Sequence, residues 1–273
     1  MTPLPTPAQS GVPAVRARKR SAGCDPLVMV TAYDVATARA AAAAQVDLIL
    51  VGDSLGMVVL GYPDTLHVTM ADMVRHTGAV ARANPPQLVV SDMPWTSYHT
   101  GAHQAVAHAA ELVRAGAGAV KLEGGTKRLE VIRAILDAEI PVMGHLGLTP
   151  QSVHAMGGFR VQGRQPEEAK LLLEDAIAIA EAGCFAIVLE GVPAGLARDV
   201  TATVGVPTIG IGAGDGCDGQ VLVFHDLVGM ATGPRPRFVR EYAELGQLAT
   251  EAVARWAGDV RAGRFPSAAE SYR

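Results

Sequence analysis

The chain has 273 residues, of which 49% are hydrophobic and 18% are charged. This composition excludes a globally disordered chain, and the length lies at the upper end for one domain, where α/β barrels are common. With a net charge of -4 and 4% aromatic residues, the chain lacks the basic surface and the stacking side chains of a nucleic-acid-binding protein. No apolar run approaches the roughly 18 residues that a membrane span needs. We therefore expect neither nucleic acid nor a membrane as a partner.

The amino terminus and the cysteines both favour a cytoplasmic protein. Residues 1–24 carry four basic residues and no acidic one, and they lack the apolar segment of a secretory signal, which leaves a transit peptide as the lesser alternative. We interpret them as a mobile arm. Cys24, Cys184 and Cys217 are odd in number, widely spaced and form no CxxC motif. They predict neither a disulfide framework nor a zinc cluster, as expected in a reducing cytoplasm.

Short apolar runs alternate with longer helix-like stretches from about residue 27 to 230. The eight runs are Leu27 to Ala32, Val46 to Gly52, Gln87 to Asp92, Gly118 to Glu123, Pro141 to Leu146, Cys184 to Glu190, Val206 to Gly210 and Val221 to Phe224. They are nearly continuous in Val, Ile and Leu, as in parallel strands that are covered on both faces. Eight βα units in one chain favour a (β/α)8 TIM barrel over an open doubly wound sheet. We predict a single barrel domain over 25–273 with C-terminal helices.

A weak internal repeat supports this division, and the last stretch of the chain departs from it. Residues 115–124 and 182–191 share the pattern A-G-x-x-A-[VI]-x-L-E-G, in which a helix ends on glycine and the next strand ends on a carboxylate. After residue 237 the βα rhythm stops, and Phe238 to Gly263 predicts a helical extension outside the barrel. Its apolar side chains predict contact with a neighbouring subunit, and hence a homo-oligomer.

Acidic residues end four of the predicted strands. They are Asp53, Asp92, Glu123 and Glu190. In a barrel these strand ends converge on the face that holds active sites. Carboxylates that converge repel one another unless a cation neutralises them, and an all-oxygen set favours Mg²⁺. The sequence therefore predicts a magnesium site with a surplus acid that can act as a base.

Other polar residues fall on the same predicted face. Lys121 stands two residues before Glu123, so both side chains point into the barrel, where the lysine can balance a carboxylate or bind an anionic substrate. His145 follows the fifth strand, and its role stays open between structure and function. The glycine-rich segment Gly210 to Gly214 is a poor dinucleotide fingerprint, and a tight turn that lets the backbone approach a ligand is the better interpretation.

Taken together, five motifs resemble the ketopantoate hydroxymethyltransferase family, and the likeness covers about residues 27 to 265. The motifs are Thr31-Ala32-Tyr33-Asp34, Val51-Gly52-Asp53-Ser54-Leu55-Gly56, Val120-Lys121-Leu122-Glu123-Gly124-Gly125, Gly144-His145-Leu146-Gly147-Leu148-Thr149-Pro150-Gln151-Ser152 and Gly210-Ile211-Gly212-Ala213-Gly214. The second and fourth are long enough to be specific. The chain departs from the family pattern in two places. Position 191 is Gly191, where the family commonly has cysteine, and the basic arm is longer. Neither departure affects the chemistry that the resemblance implies.

The resemblance implies a TIM barrel that adds a hydroxymethyl group from methylenetetrahydrofolate to C3 of 3-methyl-2-oxobutanoate through a Mg²⁺-stabilised enolate, giving 2-dehydropantoate. It implies Asp53, Asp92 and Glu123 as metal-site acids. Asp53, Ser54, Asp92 and Lys121 match the oxo-acid contacts, and Glu190 matches the proton acceptor. It also implies a large homo-oligomer, commonly a decamer.

Two other functions remain as alternatives. One is a metal-dependent carbon-carbon lyase of the isocitrate lyase type, which would keep the metal but need a different base and lid; the chain shows no cysteine in a lid-like loop. The other is a catalytically silent barrel that binds a metabolite or a partner. A silent scaffold has no reason to keep four repelling acids together with Lys121.

Overall fold

A computed structural model describes residues 11–19, 25–233 and 235–272. Its centre is a closed barrel of eight parallel strands, each paired with its neighbours in sequence, and the last paired with the first. The strands are β1 (Leu27–Thr31), β2 (Leu48–Val51), β3 (Leu88–Asp92), β4 (Ala119–Glu123), β5 (Val142–Gly147), β6 (Ala186–Glu190), β7 (Thr208–Ile211) and β8 (Gly219–Leu222). The predicted (β/α)8 barrel is confirmed. The eighth strand begins two residues before the predicted apolar run.

Helices connect the strands on the outside of the barrel. They are α2 (Val35–Ala43), α3 (Leu55–Val58), α4 (Met70–Ala81), α5 (Ala102–Ala115), α6 (Leu129–Asp137), α7 (Val153–Met156), α8 (Pro166–Glu181) and α9 (Ala194–Thr203), with 3₁₀ turns at Thr126–Arg128 and Pro150–Ser152. Local signals in the sequence set several of their ends. Asp34 caps α2 and Thr69 caps α4, while α5 stops at Gly116 in the left-handed conformation.

The barrel interior is filled by every second residue of the strands, as the period of two requires. Leu27 and Met29 of β1, Leu88 and Val90 of β3, and Ala119 of β4 belong to this core. The intervening residues, such as Val89 and Val120, are also buried. Both faces of each strand are therefore covered, which explains why the strands appear in the sequence as continuous apolar runs.

A short helix, α1 (Val12–Arg16), packs against the barrel core through Val15, with Val12 beside it. Residues 11–19 therefore differ from the mobile arm expected for residues 1–24, because an apolar side chain and two basic ones find partners on the barrel. Arg18 pairs with Asp47 and Lys19 with Asp218, acids that directly precede β2 and β8. Residues 1–10 and 20–24 of the expected arm lie outside the described residues.

The chain divides into two compact units, Met1–Val223 and Phe224–Arg273. The barrel rhythm thus ends at residue 223, earlier than the 237 expected from the pattern. The second unit contains α10 (Phe224–Leu227) and α11 (Leu245–Arg261). The prediction of a helix within Phe238 to Gly263 agrees with α11. Within the described ranges, no helix combines the length and apolar character needed to cross a membrane.

Candidate active site at the carboxyl end of the barrel

The polar residues of the site continue the inward-facing rows of the core. On β3 the row Leu88, Val90 ends at Asp92, and on β6 the row Ala186, Val188 ends at Glu190. Lys121 and Glu123 follow Ala119 in the same way on β4, and His145 follows Met143 on β5. Because the strands are parallel, all these side chains reach the carboxyl end of one barrel. Strand register sets Asp92 opposite Lys121 and Glu123 opposite His145.

Asp53, Asp92 and Lys121 form one side of the site. The backbone N–H of Asp53 donates to Asp92 Oδ2 at 3.0 Å, and Lys121 Nζ lies 2.8 Å from Asp92 Oδ1. All three side chains are buried. Burial and the neighbouring Asp92 and Glu123 raise the pKa of Asp53 well above its usual range, in spite of Lys121. Burial lowers the pKa of Lys121, but the surrounding acids outweigh that effect and raise it, so the ammonium stays charged.

His145 lies between two carboxylates on the other side of the site. Its Nδ1 is 3.3 Å from Glu123 Oε1 and 3.2 Å from Lys121 Nζ, and its Nε2 is 3.2 Å from Glu190 Oε2. Burial and Lys121 lower the pKa of His145, but Glu123 and Glu190 outweigh them and raise it to about 9. The imidazole is therefore a cation at neutral pH that bridges the two acids, a role that the sequence left open.

Glu190 differs from the other three acids in its exposure. Its side chain is 18% exposed, whereas those of Asp92 and Glu123 are 5% and 4% exposed. A carboxylate that is oriented by His145 and still reachable from the barrel mouth can accept a proton from a bound molecule.

Ser54 stands beside Asp53 at the start of α3, and its hydroxyl is 2.9 Å from the Tyr33 hydroxyl. Gly52 gives this turn its shape. A Cβ at position 52 would lie 2.8 Å from Ser54 Oγ, so any other residue would displace the Ser54 hydroxyl, and it would be in ordinary contact with Asp92 Oδ2 at 3.5 Å. Gly52 of the VGDSLG motif thus leaves space for the polar groups around it.

Gln151 is a buried member of the site that the sequence analysis did not single out. It lies in the 3₁₀ turn after β5, and its Nε2 donates to Asp53 Oδ2 at 2.8 Å. Its backbone N–H donates to Glu123 Oε2 at 3.0 Å, and its Oε1 accepts from the Tyr98 hydroxyl. Gln151 is part of the GHLGLTPQS motif, but a glutamine outside a strand has no periodicity that would place it in the site.

The predicted site residues are therefore brought together. Contacts connect Asp53, Asp92, Lys121, Glu123 and Glu190 through His145 and Gln151, and Ser54 is the neighbour of Asp53. The turn after β7 requires glycine at two positions, since Gly212 and Gly214 have positive φ angles of 62° and 77°.

The acids also bear on the predicted metal. Within residues 11–19, 25–233 and 235–272, no three acidic, imidazole or thiol groups are arranged to enclose a metal ion. Mg²⁺ commonly takes only one or two protein carboxylates, with water and substrate oxygens as its other ligands. The adjacent carboxylates of Asp53 and Asp92, with Glu123 close enough to raise the pKa of Asp53, fit that need. A divalent cation would relieve this repulsion.

Solved structures with similar folds support the barrel. A phosphonopyruvate hydrolase in complex with oxalate and Mg²⁺ aligns with a TM-score of 0.62 and 16% identity, over 96% of this chain and 92% of that one. A 2,3-dimethylmalate lyase of the PEP mutase/isocitrate lyase superfamily aligns with a TM-score of 0.61 and 17% identity, over 98% and 90%. At these identities the likeness shows the fold alone.

Sequence relatives are much more similar. A 3-methyl-2-oxobutanoate hydroxymethyltransferase 2 of Bradyrhizobium diazoefficiens is 56% identical over 247 residues, 90% of this chain and 84% of the relative. A 3-methyl-2-oxobutanoate hydroxymethyltransferase of Pyrobaculum islandicum is 56% identical over 251 residues, 92% and 95%. Residues 12–268 match the family described as ketopantoate hydroxymethyltransferase. The chain therefore belongs to the ketopantoate hydroxymethyltransferase family.

Proposed function

We propose that the protein transfers a hydroxymethyl group from methylenetetrahydrofolate to C3 of 3-methyl-2-oxobutanoate, giving 2-dehydropantoate for pantothenate and coenzyme A synthesis. The observation that carries this proposal is the arrangement of Glu190, a partly exposed carboxylate held by His145 beside three buried acids and a charged lysine. At one barrel mouth, Glu190 can act as a base and Lys121 can bind an anion. Asp53 and Asp92 together can bind a metal cation. The family membership supplies the identity of the substrates.

Lys121, Ser54, Asp53 and Asp92 would hold the oxo acid. The raised pKa of Lys121 keeps its ammonium charged, so it can attract the carboxylate of the substrate while it remains next to Asp92. Ser54 Oγ, near the Tyr33 hydroxyl, can donate to an oxygen of the substrate. Magnesium bound by Asp53, Asp92 and Glu123 would withdraw electron density from the oxo acid and so lower the pKa of its C3–H bond.

Glu190 would then act as the general base. One carboxylate oxygen accepts the C3 proton, while His145, with Nε2 3.2 Å from Glu190 Oε2, orients the carboxylate. The electron pair released at C3 forms the new bond to the one-carbon unit, both C–N bonds between that unit and the folate break, and the two folate nitrogens take up the proton from C3 and one proton from water. With the net addition of one water molecule, tetrahydrofolate and 2-dehydropantoate are formed, and Glu190 is deprotonated again at the end of the cycle.

One assay tests this proposal. The purified protein is incubated with Mg²⁺, 3-methyl-2-oxobutanoate and methylenetetrahydrofolate, and 2-dehydropantoate is measured. We expect product only with both organic substrates present. Absence of product, together with metal-dependent cleavage of a hydroxylated diacid, would favour a lyase of the isocitrate lyase type instead.

The metal assignment has its own test in Asp92→Asn. Asp92 accepts from the backbone of Asp53 and pairs with Lys121, so the amide keeps its shape but loses the charge that a cation needs. We expect Mg²⁺ affinity and activity to fall together, each by at least about tenfold. Full activity with unaltered Mg²⁺ dependence would remove Asp92 from the metal site.

We also propose that the protein is a homo-oligomer, a decamer as the family resemblance implies. Helix α11 contains no buried residue and exposes Leu248, Val253 and Trp256, each by more than half of its surface. Such apolar exposure favours a protein partner. A monomer mass by light scattering at micromolar concentration would contradict this. The cytoplasmic location stays a prediction from the sequence.

A further inference from the structure

Gln151 contacts the acids of two different strand ends at once. Its side-chain N–H groups donate to Asp53 Oδ2 at 2.8 Å and to the carbonyl oxygen of Met93 at 2.9 Å. Its backbone N–H donates to Glu123 Oε2 at 3.0 Å. Asp53 follows β2, Met93 follows β3 and Glu123 ends β4, so one turn after β5 connects the ends of three other strands.

Tyr98 fixes the direction of this amide. The Tyr98 hydroxyl accepts from the backbone N–H of Glu123 at 3.2 Å and donates its own hydrogen to Gln151 Oε1. If the amide were reversed, its NH₂ group would meet the Tyr98 hydroxyl, and its oxygen would face the Asp53 carboxylate and the Met93 carbonyl. Three acceptor oxygens would then lie together with no hydrogen-bond donor between them. The observed orientation is therefore the one that satisfies every group. Both side chains are buried, so water does not replace these bonds without cost.

We infer that Gln151, with Tyr98 behind it, is a positioning residue that holds the Asp53 and Glu123 carboxylates ready for a divalent cation. This inference rests on the metal site of the proposed function. Two carboxylates that repel each other turn apart unless donors fix them, and Asp53 and Glu123 each accept a hydrogen bond from Gln151. When Gln151 fixes them beforehand, the cation meets oriented oxygens and does not have to order them.

Because the Gln151 amide is neutral, it does not offset the negative charge of the carboxylates. The side-chain amide of Gln151 donates to Asp53 and its backbone N–H donates to Glu123, and neither donor carries a positive charge. A lysine or arginine at this position would compete with the cation for the same carboxylates. A neutral donor leaves the negative charge available, which is the arrangement seen around metal ligands that are oriented by outer partners.

The test is Gln151→Met, measured as Mn²⁺ affinity in the absence of both substrates. Methionine keeps the length and approximate volume of the side chain but makes none of its three hydrogen bonds. We expect the dissociation constant for Mn²⁺, followed by the paramagnetic resonance signal of the free ion, to rise about 10- to 100-fold. The matched control is Gln104→Met, since Gln104 is exposed on α5 and its side chain accepts a hydrogen bond from the nearby Thr100 hydroxyl. It should leave Mn²⁺ affinity unchanged.

A second variant, Tyr98→Phe, keeps the experiment decisive if Gln151→Met does not fold. It removes one oxygen, releases the far end of the Gln151 amide and should weaken Mn²⁺ binding in the same direction by a smaller factor. A folded variant of either kind that is less stable than wild type but binds Mn²⁺ equally well would overturn the positioning role and leave the metal site intact. Failure of the wild type to bind Mn²⁺ would overturn the metal site and this inference together.

Discussion

The two ends of the barrel both contain buried carboxylates, but they neutralise them in opposite ways. At the amino end, Asp218 is buried next to its own cation, with Lys19 Nζ 2.8 Å from its Oδ2, and it also accepts from the backbone N–H of Thr208 at 2.8 Å. Lys19 in turn donates to the carbonyl oxygen of Thr201 at 2.6 Å. Lys19 thus neutralises Asp218 directly, and the backbone of the barrel supplies further hydrogen bonds to both side chains.

At the carboxyl end, four carboxylates face one lysine and one histidine. Lys121 and His145 are shared among Asp92, Glu123 and Glu190, and Asp53 has an amide for its donor in Gln151. The excess negative charge costs folding free energy unless a cation completes the site. In barrels of this class, residues at the amino end usually serve stability and residues at the carboxyl end serve activity, so the comparison predicts different effects for substitutions at the two ends.

The largest expected effect comes from Glu190→Gln. Glutamine keeps the shape of Glu190 but cannot accept the C3 proton, and loss of a general base typically lowers kcat about 10²- to 10⁴-fold. Affinity for Mg²⁺ and for the oxo acid should change little, because the proposed metal acids are on other strands. The direct measurement is exchange of the C3 hydrogen of 3-methyl-2-oxobutanoate with deuterated water, which needs no folate.

A matched control for this variant is Glu181→Gln, which makes the same change at an exposed position at the end of α8. The wild type and the control should both exchange the C3 hydrogen. Equal exchange in Glu190→Gln would remove Glu190 from the role of base.

At the amino end the corresponding change is Lys19→Met, which should affect stability and leave kcat unchanged. The Lys19 side chain is 16% exposed and that of Asp218 is 1% exposed, so the variant removes the Lys19 ammonium from a buried carboxylate. Breaking a buried pair in this way costs about 3 to 5 kcal/mol of unfolding free energy. Urea denaturation measures it. A loss well below 1 kcal/mol would show that Asp218 is stabilised without Lys19.

His145 offers a smaller effect that depends on pH. Its pKa is raised from 6.5 to about 9 in the folded protein, so the folded state binds the proton more tightly than the unfolded state does. The resulting stabilisation is complete below pH 6.5 and is lost as the pH rises through about 9. At about 1.4 kcal/mol per pKa unit, the loss is on the order of 3 kcal/mol.

This prediction is measured on metal-free protein, since a cation would alter the charges around His145. The wild type should lose stability between pH 6.5 and 9, and His145→Asn should lose much less, while the exposed His103→Asn serves as the control. The imidazole resonance of His145 should titrate near pH 9. A midpoint near 6.5 would mean that Glu123 and Glu190 do not hold its proton.

The sequence predicted the barrel and most of the site because both depend on strand periodicity. Asp92, Glu123 and Glu190 end inward-facing apolar rows, so counting residues along a strand is enough to locate them. The same reasoning could not find Gln151, since its place depends on a 3₁₀ turn and on long-range contacts with Asp53. Nor did it find the docking of α1, since five residues with one buried valine make no periodic pattern.

The smallest expected effect comes from Arg18→Met. This variant allows two ion pairs at the amino end of the barrel to be compared with each other. Arg18 is next to Lys19 in sequence, but its pair with Asp47 is more exposed, with side chains 33% and 27% accessible. Water screens this pair, so its loss should cost only about 0.2 to 1 kcal/mol. Asp47 also keeps its bond from the backbone N–H of Val28, which stabilises its charge without Arg18. Because Arg18→Met and Lys19→Met each remove one charge from adjacent positions, the difference between their urea midpoints measures what burial adds to an ion pair. Equal losses would mean that the stability of the amino end depends on its total charge and not on the enclosure of Asp218.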